Sequence, residues 1–580
     1  MVFEVSDFMS QSLRELAKRR GLFFLSQGSY GGSAGFYTFG PVGNEVKNNI
    51  VEKWRDVFVR ELGNMEIDAP TVMKEDVFQA SGHVDGFDDM ILECPNCGRS
   101  HRGDHLIEDE TELKEAEGLS TERIEELVKE HDIGCPSCGT GLSGVKVSDF
   151  NLMFDTDIGP GDSETGYLRP ETAQGIFVDF PRLKQYARNQ LPFGVAQVGR
   201  GYRNEISPRG GLSRVREFTM AELEQFILEG QKPDLSEVGD ISLRILSREM
   251  QENGERPVDM TPVEAIEEGI VESEWIAYFL GQAQTFYERI GIHPGKLRFR
   301  QHQADELSHY ASDCWDAETD VGSEESDWLE VTGFAFRGCY DLKKHHEHSE
   351  GDYTVFQEFD EPREVEEISV DPDMSWLGPE LGDSAEKAVE RLQGLAEAEP
   401  ERFEEQSSVE IENGSGTIGI PVDKTGFSRE TVEKNGEHVL PQVVEPSFGI
   451  GRLVYSVLTH SLETDEVDGE ERTLLRLPSE VAPADVAVLP LMDRDGLTER
   501  AQEVAEDLRS EGLEVRFDSS GSIGRRYRRM DEIGVPLCVT VDYGTIGEEE
   551  ETEENTVTLR DRDTTEQERV DISELADRFT

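Results

Sequence analysis

The segment from Tyr202 to Phe226 constrains the fold of this chain more than any other part of it. Two stretches typical of strands are joined there by a loop of Gly, Pro and Ser that carries several arginines. Because a guanidinium group stays charged and binds phosphate oxygens through a rigid fork, paired strands of this kind favour a polyphosphate site. The alternative is that Arg203 and Glu205 form a cross-strand ion pair on an exposed sheet. The pattern alone leaves both interpretations open.

An excess of acidic residues is the second constraint. The chain has 580 residues, 57 Lys and Arg against 123 Asp and Glu, and a formal net charge of -66. This excess is spread through every segment, which is typical either of a solvated surface suited to high salt or of a binding face for a basic partner. We favour the first, since a Debye length of about 3 Å at 1 M salt screens such self-repulsion. The sequence therefore predicts a halophilic source, and its net charge does not exclude a nucleic acid as partner.

The hydrophobic pattern predicts a folded chain of two to four domains. Hydrophobic residues make up 36% of the sequence, and Phe, Leu, Ile and Val recur in periodic blocks. There is no run of about 18 apolar residues, and residues 1–20 lack the core of a signal peptide. We expect a soluble cytoplasmic protein that does not bind membranes.

Four of the seven cysteines form two Cys-x-x-Cys pairs, each followed by Gly. This is the knuckle spacing of a closed, structural zinc site, with a helix-bearing insert between the two pairs. Disulfide bonds or free thiols are the alternatives. The predicted zinc ligands are Cys94, Cys97, Cys135 and Cys138.

The C-terminal part of the chain alternates strands with helices as βαβαβ, which predicts a separate small α/β domain. Its second helix carries a cluster of cations around one aromatic residue, suited to phosphate contacts and base stacking. The alternative is a helix face that neutralises nearby acids. The candidate RNA-contacting residues are Arg525, Arg526, Tyr527, Arg528 and Arg529.

The arginine-bearing segment resembles motif 2 of class II aminoacyl-tRNA synthetases, and in particular that of the dimeric type of glycyl-tRNA synthetase, a class IIa enzyme. The similarity covers most of the chain and suggests an archaeal, halophilic member. Its further motifs are Gly35–Gly43, the motif 1 helix (about 45–62) and strand ending at Pro70, Arg169–Gly175, Leu307–Asp316, Trp328–Leu342 and motif 3 at Glu445–Leu458.

This resemblance implies an α+β fold, with an antiparallel-sheet catalytic domain, a zinc-binding insertion and an α/β anticodon-binding domain. It also implies a homodimer through motif 1. The expected segments are the N-terminal catalytic part with motif 1 (1–90), the four-cysteine insertion (91–145), the catalytic part with motif 2 (146–346), an acidic insertion (347–438), motif 3 (439–480) and the anticodon-binding domain (483–580).

The implied activity is that of a glycine–tRNA ligase, which joins glycine to ATP as glycyl-adenylate and then transfers glycine to the 3′ end of tRNA(Gly). Arg203, Arg452 and Glu330 are the implied catalytic residues, with Glu330 on the Mg²⁺ side. Phe218 would stack on adenine, and Arg214 would reach the γ-phosphate. The full implied ATP site is Arg203, Asn204, Glu205, Arg214, Phe218, Glu330, Val331, Gly449 and Arg452.

For glycine, the family pattern places carboxylates around the substrate ammonium and arginines near its carboxylate. Several carboxylates facing one site repel each other unless a cation lies among them, and an ammonium group supplies that charge. A single Glu in so acidic a chain is otherwise a surface acid. The implied glycine site is Arg102, Glu171, Glu222, Arg337, Glu445 and Ser447.

Two rival hypotheses remain at this level: a class IIa synthetase for another amino acid, or a synthetase-like protein that binds RNA without catalysis. The first requires a different pocket, and the glycine-type motifs at Glu171, Arg337, Glu445 and Ser447 disfavour it. The second would tolerate loss of the phosphate-binding arginines, all of which are present.

Overall fold

The computed structural model describes residues 11–579 with the exception of 112, 114, 115, 117, 118, 162, 163, 207, 209, 305, 307–310, 323–326, 382–384, 413–416, 468 and 550–552. The start of the motif at 307–316 and the two loop residues Ser207 and Arg209 thus lie outside the described residues. By its contacts the chain divides into two units, Met1–Tyr353 with Pro441–Thr580, and Thr354–Leu440.

A sheet of nine strands organises the first unit in the described part of the chain. In chain order the strands are β1 (Met65–Glu66), β2 (Phe193–Tyr202), β3 (Glu217–Ile227), β4 (Leu243–Leu246), β5 (Val258–Met260), β6 (Leu297–Gln301), β7 (Asp313–Asp320), β8 (Trp328–Gly338) and β9 (Gln442–Gly449). Their order across the sheet is β5-β4-β6-β7-β8-β9-β3-β2-β1, and all pairs are antiparallel except β1–β2 and β4–β6.

The arginine-bearing segment forms the antiparallel pair β2–β3, with Tyr202 opposite Glu217 next to the loop. On its other edge β3 pairs with β9, where Glu222 lies opposite Ser447. Since successive side chains of a strand point to opposite faces, residues 218, 220 and 222 share one face of β3. Motifs 2 and 3, far apart in sequence, are therefore adjacent strands.

Amphipathic helices cover the sheet and bury its hydrophobic core. The expected motif 1 helix begins earlier than predicted, at Pro41, because proline suits the first helical position, where no backbone N–H is needed. After Arg55 it continues as a wider helical turn to Glu61. The helices of this part are Gln11–Arg20, Pro41–Arg55, Glu75–Ala80, His83–Gly86, Gly103–Glu110, Thr121–Glu130, Ala173–Tyr186, Arg248–Glu252, Pro262–Glu267, Glu274–Arg289, Tyr340–His348 and Ile450–Ser461.

Aromatic side chains fill the centre of this core. Phe448 of β9 contacts Trp54, Phe58 and Phe286, with ring centroids 4.8–6.0 Å apart. These rings come from β9 and the two helices that pack on it, so the helices hold the strand that carries motif 3 in place. Smaller sheets surround it, with strands Phe23–Leu25, Tyr37–Phe39, Val72–Lys74, Asp88–Glu93, Ser100–Arg102, Ser148–Asn151, Phe154–Ile158, Glu164–Leu168, Leu462–Val467 and Glu470–Leu475.

The C-terminal domain has the predicted βαβαβ alternation, followed by an antiparallel hairpin that the sequence analysis did not predict. Its sheet combines two parallel with two antiparallel strand pairs. Met530 and Ile533 of its second helix belong to the same hydrophobic core as the central sheet, so the domain packs directly on the catalytic part. Its elements are Val486–Pro490, helix Leu497–Ser510, Val515–Phe517, helix Ile523–Ile533, Leu537–Val541, Thr556–Asp561 and Gln567–Asp571.

The second unit has a hydrophobic core of its own, which includes Leu392, Phe403 and Ile420. Two of its strands, of 15 and 12 residues, pair with each other and are mostly exposed or half-buried, and its longest helix has 14 residues. Its strands are Val355–Ser369, Ser408–Glu412, Thr417–Pro421 and Ser428–Val439, and its helices are Met374–Leu381, Ala385–Ala398 and Glu401–Glu405. Among all described residues, no helix combines the length and the apolar character needed to cross a bilayer.

Candidate active site

A cavity of about 280 Å³ opens over the face of the sheet formed by β7, β8, β9 and β3. Sequence positions between 171 and 452 meet in its walls, and most of the predicted substrate residues are among them. The predicted residues that line it are Glu171, Arg203, Glu205, Arg214, Phe218, Glu222, Glu330, Val331, Arg337, Glu445, Ser447, Gly449 and Arg452.

Arg203 follows directly after β2 and lies between two aromatic rings. Its guanidinium carbon is 5.4 Å from the centre of the Phe87 ring and 5.6 Å from that of Phe218. Its Nε donates a hydrogen bond to the carbonyl oxygen of Pro170 at 3.3 Å. These contacts set the direction of a cation that remains charged at the cavity wall.

Arg214 and Arg452, two further arginines of the cavity, are paired with carboxylates. Arg214 donates from Nε to Oε2 of Glu205 at 2.6 Å, so the predicted ion pair within this hairpin involves Glu205 but a different arginine. Arg452 lies in the first turn of the motif 3 helix, with its Nη1 3.0 Å from Oε2 of Glu330 and its Nε donating to the carbonyl oxygen of Ser213. The positive charge of Arg452 lowers the pKa of the Glu330 carboxyl.

Glu222 is the most completely buried carboxylate of the cavity, with no exposed surface. Its Oε2 accepts hydrogen bonds from the backbone N–H groups of Thr172 and Ala173, at 2.6 and 2.8 Å, and from the Thr172 hydroxyl. Its Oε1 accepts one from the Ser447 hydroxyl at 2.7 Å. Burial and the charge of Glu171 raise the pKa of Glu222. Four donors thus orient an acid that forms no salt bridge among the described residues, although the charge of the Arg169 guanidinium acts on it.

Two further buried acids complete an anionic end of the cavity. Glu445 accepts a hydrogen bond from Nη1 of Arg337 at 2.7 Å, and the other donors of Arg337 bind Asp341 at 2.8 and 2.9 Å. Burial, aided by the charges of Glu222 and Glu171, raises the pKa of Glu445 to about 7, although Arg337 acts to lower it. The pKa of Glu171 lies well below its ordinary value. Burial by itself would raise this pKa, but the charges of His83 and Arg337 outweigh burial.

Small residues keep the floor of the cavity open. A Cβ added at Gly449 would come no closer than 3.5 Å to any atom, and one at Gly333 would have only Asp316 Oδ1 nearby, at 3.9 Å. Neither glycine is required by protein packing, so the space in front of them is available to a ligand. The sequence analysis missed Gly333 and Ala335, although the strand period of two with Val331 and Arg337 would have placed both on the cavity face.

Two predicted residues lie outside the cavity wall. Arg102 is buried and pairs with Asp89 at 3.1 Å and with Asp104. The charges of Arg214 and Glu205 act on Asp89, which places this pair close to the motif 2 hairpin. Asn204 donates its backbone N–H to Leu152 at 2.8 Å. Both residues therefore support the hairpin.

Three titratable side chains of the cavity were not assigned from the sequence: His302, Cys314 and Asp316. Nε2 of His302 lies 2.8 Å from Oδ2 of Asp316. Cys314 and Asp316 belong to a motif that the sequence analysis quoted, and their spacing of two on a strand is the signal that could have found them.

The four predicted zinc ligands converge. Sγ of Cys94 lies 3.6 Å from that of Cys138, and Sγ of Cys97 lies 3.7 Å from that of Cys135. A tetrahedral zinc ion with Zn–S bonds of about 2.3 Å requires sulfur atoms about 3.8 Å apart. All four sulfur atoms lie within 4.8 Å of one another, so this cluster could hold zinc.

The cationic cluster of the C-terminal domain is only partly at the surface. Arg526 is 1% exposed and donates to the carbonyl oxygens of Pro490, Ser519 and Gly521. The expectation that all five residues face RNA therefore changes for Arg526, whose guanidinium group is used inside the domain.

The other members of this cluster also have internal partners, with one exception among the contacts described. The hydroxyl groups of Tyr527 and Thr540 share a hydrogen bond, and the Tyr527 ring packs against the guanidinium group of Arg560. Arg528 pairs with Glu470 and Arg529 with Asp518. Arg525 is exposed.

The architecture matches two known domain families. Residues 157–252 match the class II core domain of tRNA synthetases (G, H, P, S and T), and residues 485–580 match the anticodon binding domain. The antiparallel sheet, the arginine hairpin and the C-terminal domain thus define a class II aminoacyl-tRNA synthetase, which confirms the predicted fold class.

Relatives of nearly the same length define the family more closely. The chain is 46% identical to the glycine–tRNA ligase of Methanothrix thermoacetophila over 98% of this chain and 96% of the relative. It is 44% identical to that of Methanocaldococcus jannaschii, over 98% of each chain, and 46% identical to that of Methanothermobacter thermautotrophicus, over 97% and 96%. The chain belongs to the glycine–tRNA ligase family.

Proposed function

We propose that this protein is the glycine–tRNA ligase of its source, and that the cavity joins glycine to ATP and then passes glycine to tRNA(Gly). One observation carries the proposal: a buried anionic end, with Glu222 at its centre, adjoins a wall of arginines within a single cavity. The anionic end suits an ammonium group, and the arginines suit a triphosphate. The reaction brings these two groups together.

The arginine wall is proposed to bind ATP. Arg203 would hold the α-phosphate, Arg214 the γ-phosphate, and Phe218 would stack on adenine with Arg452 on its other face. The position of Arg203 next to the Phe218 ring supports this proposal, since it places a group that binds phosphate beside a ring on which adenine could stack. Asn204, Glu205, Val331 and Gly449 complete the proposed site. Arg203 would contribute most when negative charge builds up on the α-phosphoryl oxygens.

The anionic end is proposed to bind glycine. Glu222, Glu171 and Glu445 would surround the ammonium group with Ser447 beside them. The fixed donors to Glu222 support this proposal, because they leave its orientation independent of the substrate. Arg337 is proposed near the glycine carboxylate and holds Glu445 in place. Arg102 lies outside the cavity wall and would act on the glycine site only through the hairpin next to it.

Glu330 is the proposed protein ligand for Mg²⁺. Its carboxylate is about half exposed at the cavity and presents oxygen atoms, the donors that Mg²⁺ prefers when it keeps most of its water and binds phosphates. When bound, the ion would neutralise phosphate charge. The protein's own contribution at this point is the contact of Glu330 with Arg452, which orients both side chains.

The remaining features of the proposal concern assembly and environment. A homodimer is proposed from the motif 1 resemblance, and the exposed apolar side chains Phe24, Leu25 and Val72, which flank motif 1 in the sequence, support it.

Arg525 and the partly exposed Arg528 and Arg529 are the proposed tRNA contacts, with Tyr527 behind them. The net charge of -66 supports a halophilic, cytoplasmic setting in molar salt.

The test is ATP–pyrophosphate exchange with each of the twenty amino acids in molar KCl. We expect exchange with glycine alone, because glycine is the smallest amino acid and a larger one can be refused by steric clash at its α-carbon. Exchange with another amino acid would leave the class II reaction but contradict the glycine site. No exchange in folded protein would favour a non-catalytic RNA-binding relative.

The four-cysteine cluster is proposed to bind structural zinc. We expect Cys97→Ser to lower the zinc content by one equivalent per chain and to speed amide hydrogen exchange across residues 88–151, because the ion links both ends of that segment. Cys97 is exposed, so its replacement by Ser removes little packing. The measurements are elemental analysis and hydrogen exchange, with Cys339→Ser as the control. Unchanged zinc in Cys97→Ser would contradict the assignment.

A further inference from the structure

Three side chains with three different donor atoms converge on one wall of the cavity. One ligand atom each of His302, Cys314 and Asp316 lies within 4.8 Å of the other two. Cys314 and Asp316 lie two residues apart on β7 and so on the same face. His302 follows the end of β6, and its backbone N–H donates to the carbonyl oxygen of Cys314 at 2.9 Å. Paired strands therefore hold all three side chains in place.

The imidazole of His302 has one satisfied and one unsatisfied nitrogen. Its Nε2 lies 2.8 Å from Asp316 Oδ2. Its Nδ1 is buried and has no hydrogen-bond partner among the described residues. A buried polar atom without a hydrogen-bond partner is destabilising, so an unpaired nitrogen beside a thiol and a carboxylate indicates a place for a ligand.

We propose that His302, Cys314 and Asp316 bind a borderline divalent cation of the Zn²⁺ type, at a second metal site distinct from the four-cysteine cluster. A set of nitrogen, sulfur and oxygen donors selects zinc, cobalt or cadmium over magnesium, which prefers oxygen alone. Three protein ligands are the number found where a zinc ion keeps one position for water or a substrate atom. All three residues line the cavity, so that position opens into it.

The surroundings of the site can accommodate the added positive charge. One neighbouring cation is Arg300, whose Nη2 is 3.5 Å from Asp316 Oδ2. Arg300 is paired with Glu306 at 2.9 Å and with Glu318 at 3.1 Å, so its charge is balanced. Gly333, opposite Asp316 on β8, leaves room on the cavity side. The site thus stands whether or not the cavity carries out the proposed reaction.

The test is a titration of the metal-free full-length protein with Co²⁺, followed by absorption spectroscopy. We expect two equivalents to bind per chain. The second should give a weaker thiolate-to-cobalt charge-transfer band than the first, because it has one sulfur ligand instead of four. Cys314→Ser should bind one equivalent, and His302→Asn should weaken the second equivalent at least tenfold.

Two variants separate the sites from each other. Cys97→Ser should lose the four-sulfur spectrum and keep the second site, whereas Cys339→Ser should keep both. Because His302→Asn leaves β7 untouched, it tests the site even if Cys314→Ser folds poorly. A wild-type stoichiometry of one, or a second equivalent that survives both Cys314→Ser and His302→Asn unchanged, would overturn the proposal.

Discussion

Arg203→Ala is expected to lower the rate of ATP–pyrophosphate exchange with glycine about 1,000-fold, or on the order of 4 kcal/mol of transition-state stabilisation. The guanidinium group is held between the rings of Phe87 and Phe218 at the cavity wall, where charge develops on the α-phosphate in the proposed reaction. Alanine removes the charge and both ring contacts. The measurement is the exchange rate at saturating glycine and ATP, in molar KCl.

Arg200→Ala is the matched control for this variant. Arg200 lies three residues earlier on β2, is about half exposed and pairs with Glu217 outside the cavity. We expect its exchange rate to stay within about threefold of wild type, since exposed ion pairs contribute little. Arg203→Ala should also bind tRNA(Gly) normally. Exchange within tenfold of wild type in folded Arg203→Ala would mean that the ATP assignment is wrong.

Glu222→Gln is expected to raise the KM for glycine about 100-fold, or about 2.7 kcal/mol, with little change in the KM for ATP. Glutamine has the shape of glutamate, and its carbonyl oxygen can still accept from the backbone N–H groups of Thr172 and Ala173. The hydroxyl of Ser447 can rotate to accept instead of donate. The variant therefore removes the negative charge and keeps the framework.

Glu217→Gln serves as the control on the same strand, because Glu217 lies at the start of β3 and outside the cavity. Its KM for glycine should match that of wild type. Thermal unfolding of Glu222→Gln should occur at or above the wild-type temperature, since burial raises the pKa of Glu222 and a neutral amide avoids that cost. A wild-type KM for glycine in Glu222→Gln would remove this residue from the ammonium site.

The order of elements was largely predictable because each has a local signal. The apolar spacing after residue 45 predicts the motif 1 helix, and the alternation from residue 486 onward predicts the C-terminal domain. The hairpin after Thr556 was missed, since charged residues such as Arg560, Asp561 and Glu568 interrupt the apolar pattern of its strands. The motif 1 helix begins at Pro41 rather than near residue 45, because proline is well tolerated in the first turn of a helix.

The contacts of individual side chains were less predictable, as Arg526 shows. In sequence it is one of four arginines within five residues, yet only helical geometry decides which of them points inward. It is buried against three carbonyl oxygens, whereas Arg525 next to it is exposed. Likewise, Arg214 rather than Arg203 pairs with Glu205.

The sequence by itself determined the family, the two cysteine pairs and most of the predicted residues that line the cavity, because motifs record chemistry as residue type and spacing. Only the tertiary structure decided that β3, β8 and β9 lie side by side, which brings Glu222, Ser447 and Glu330 around one cavity. It also decided that His302 meets Asp316 there. Strand pairing joins residues far apart in the chain, and no local pattern specifies which strands will be neighbours.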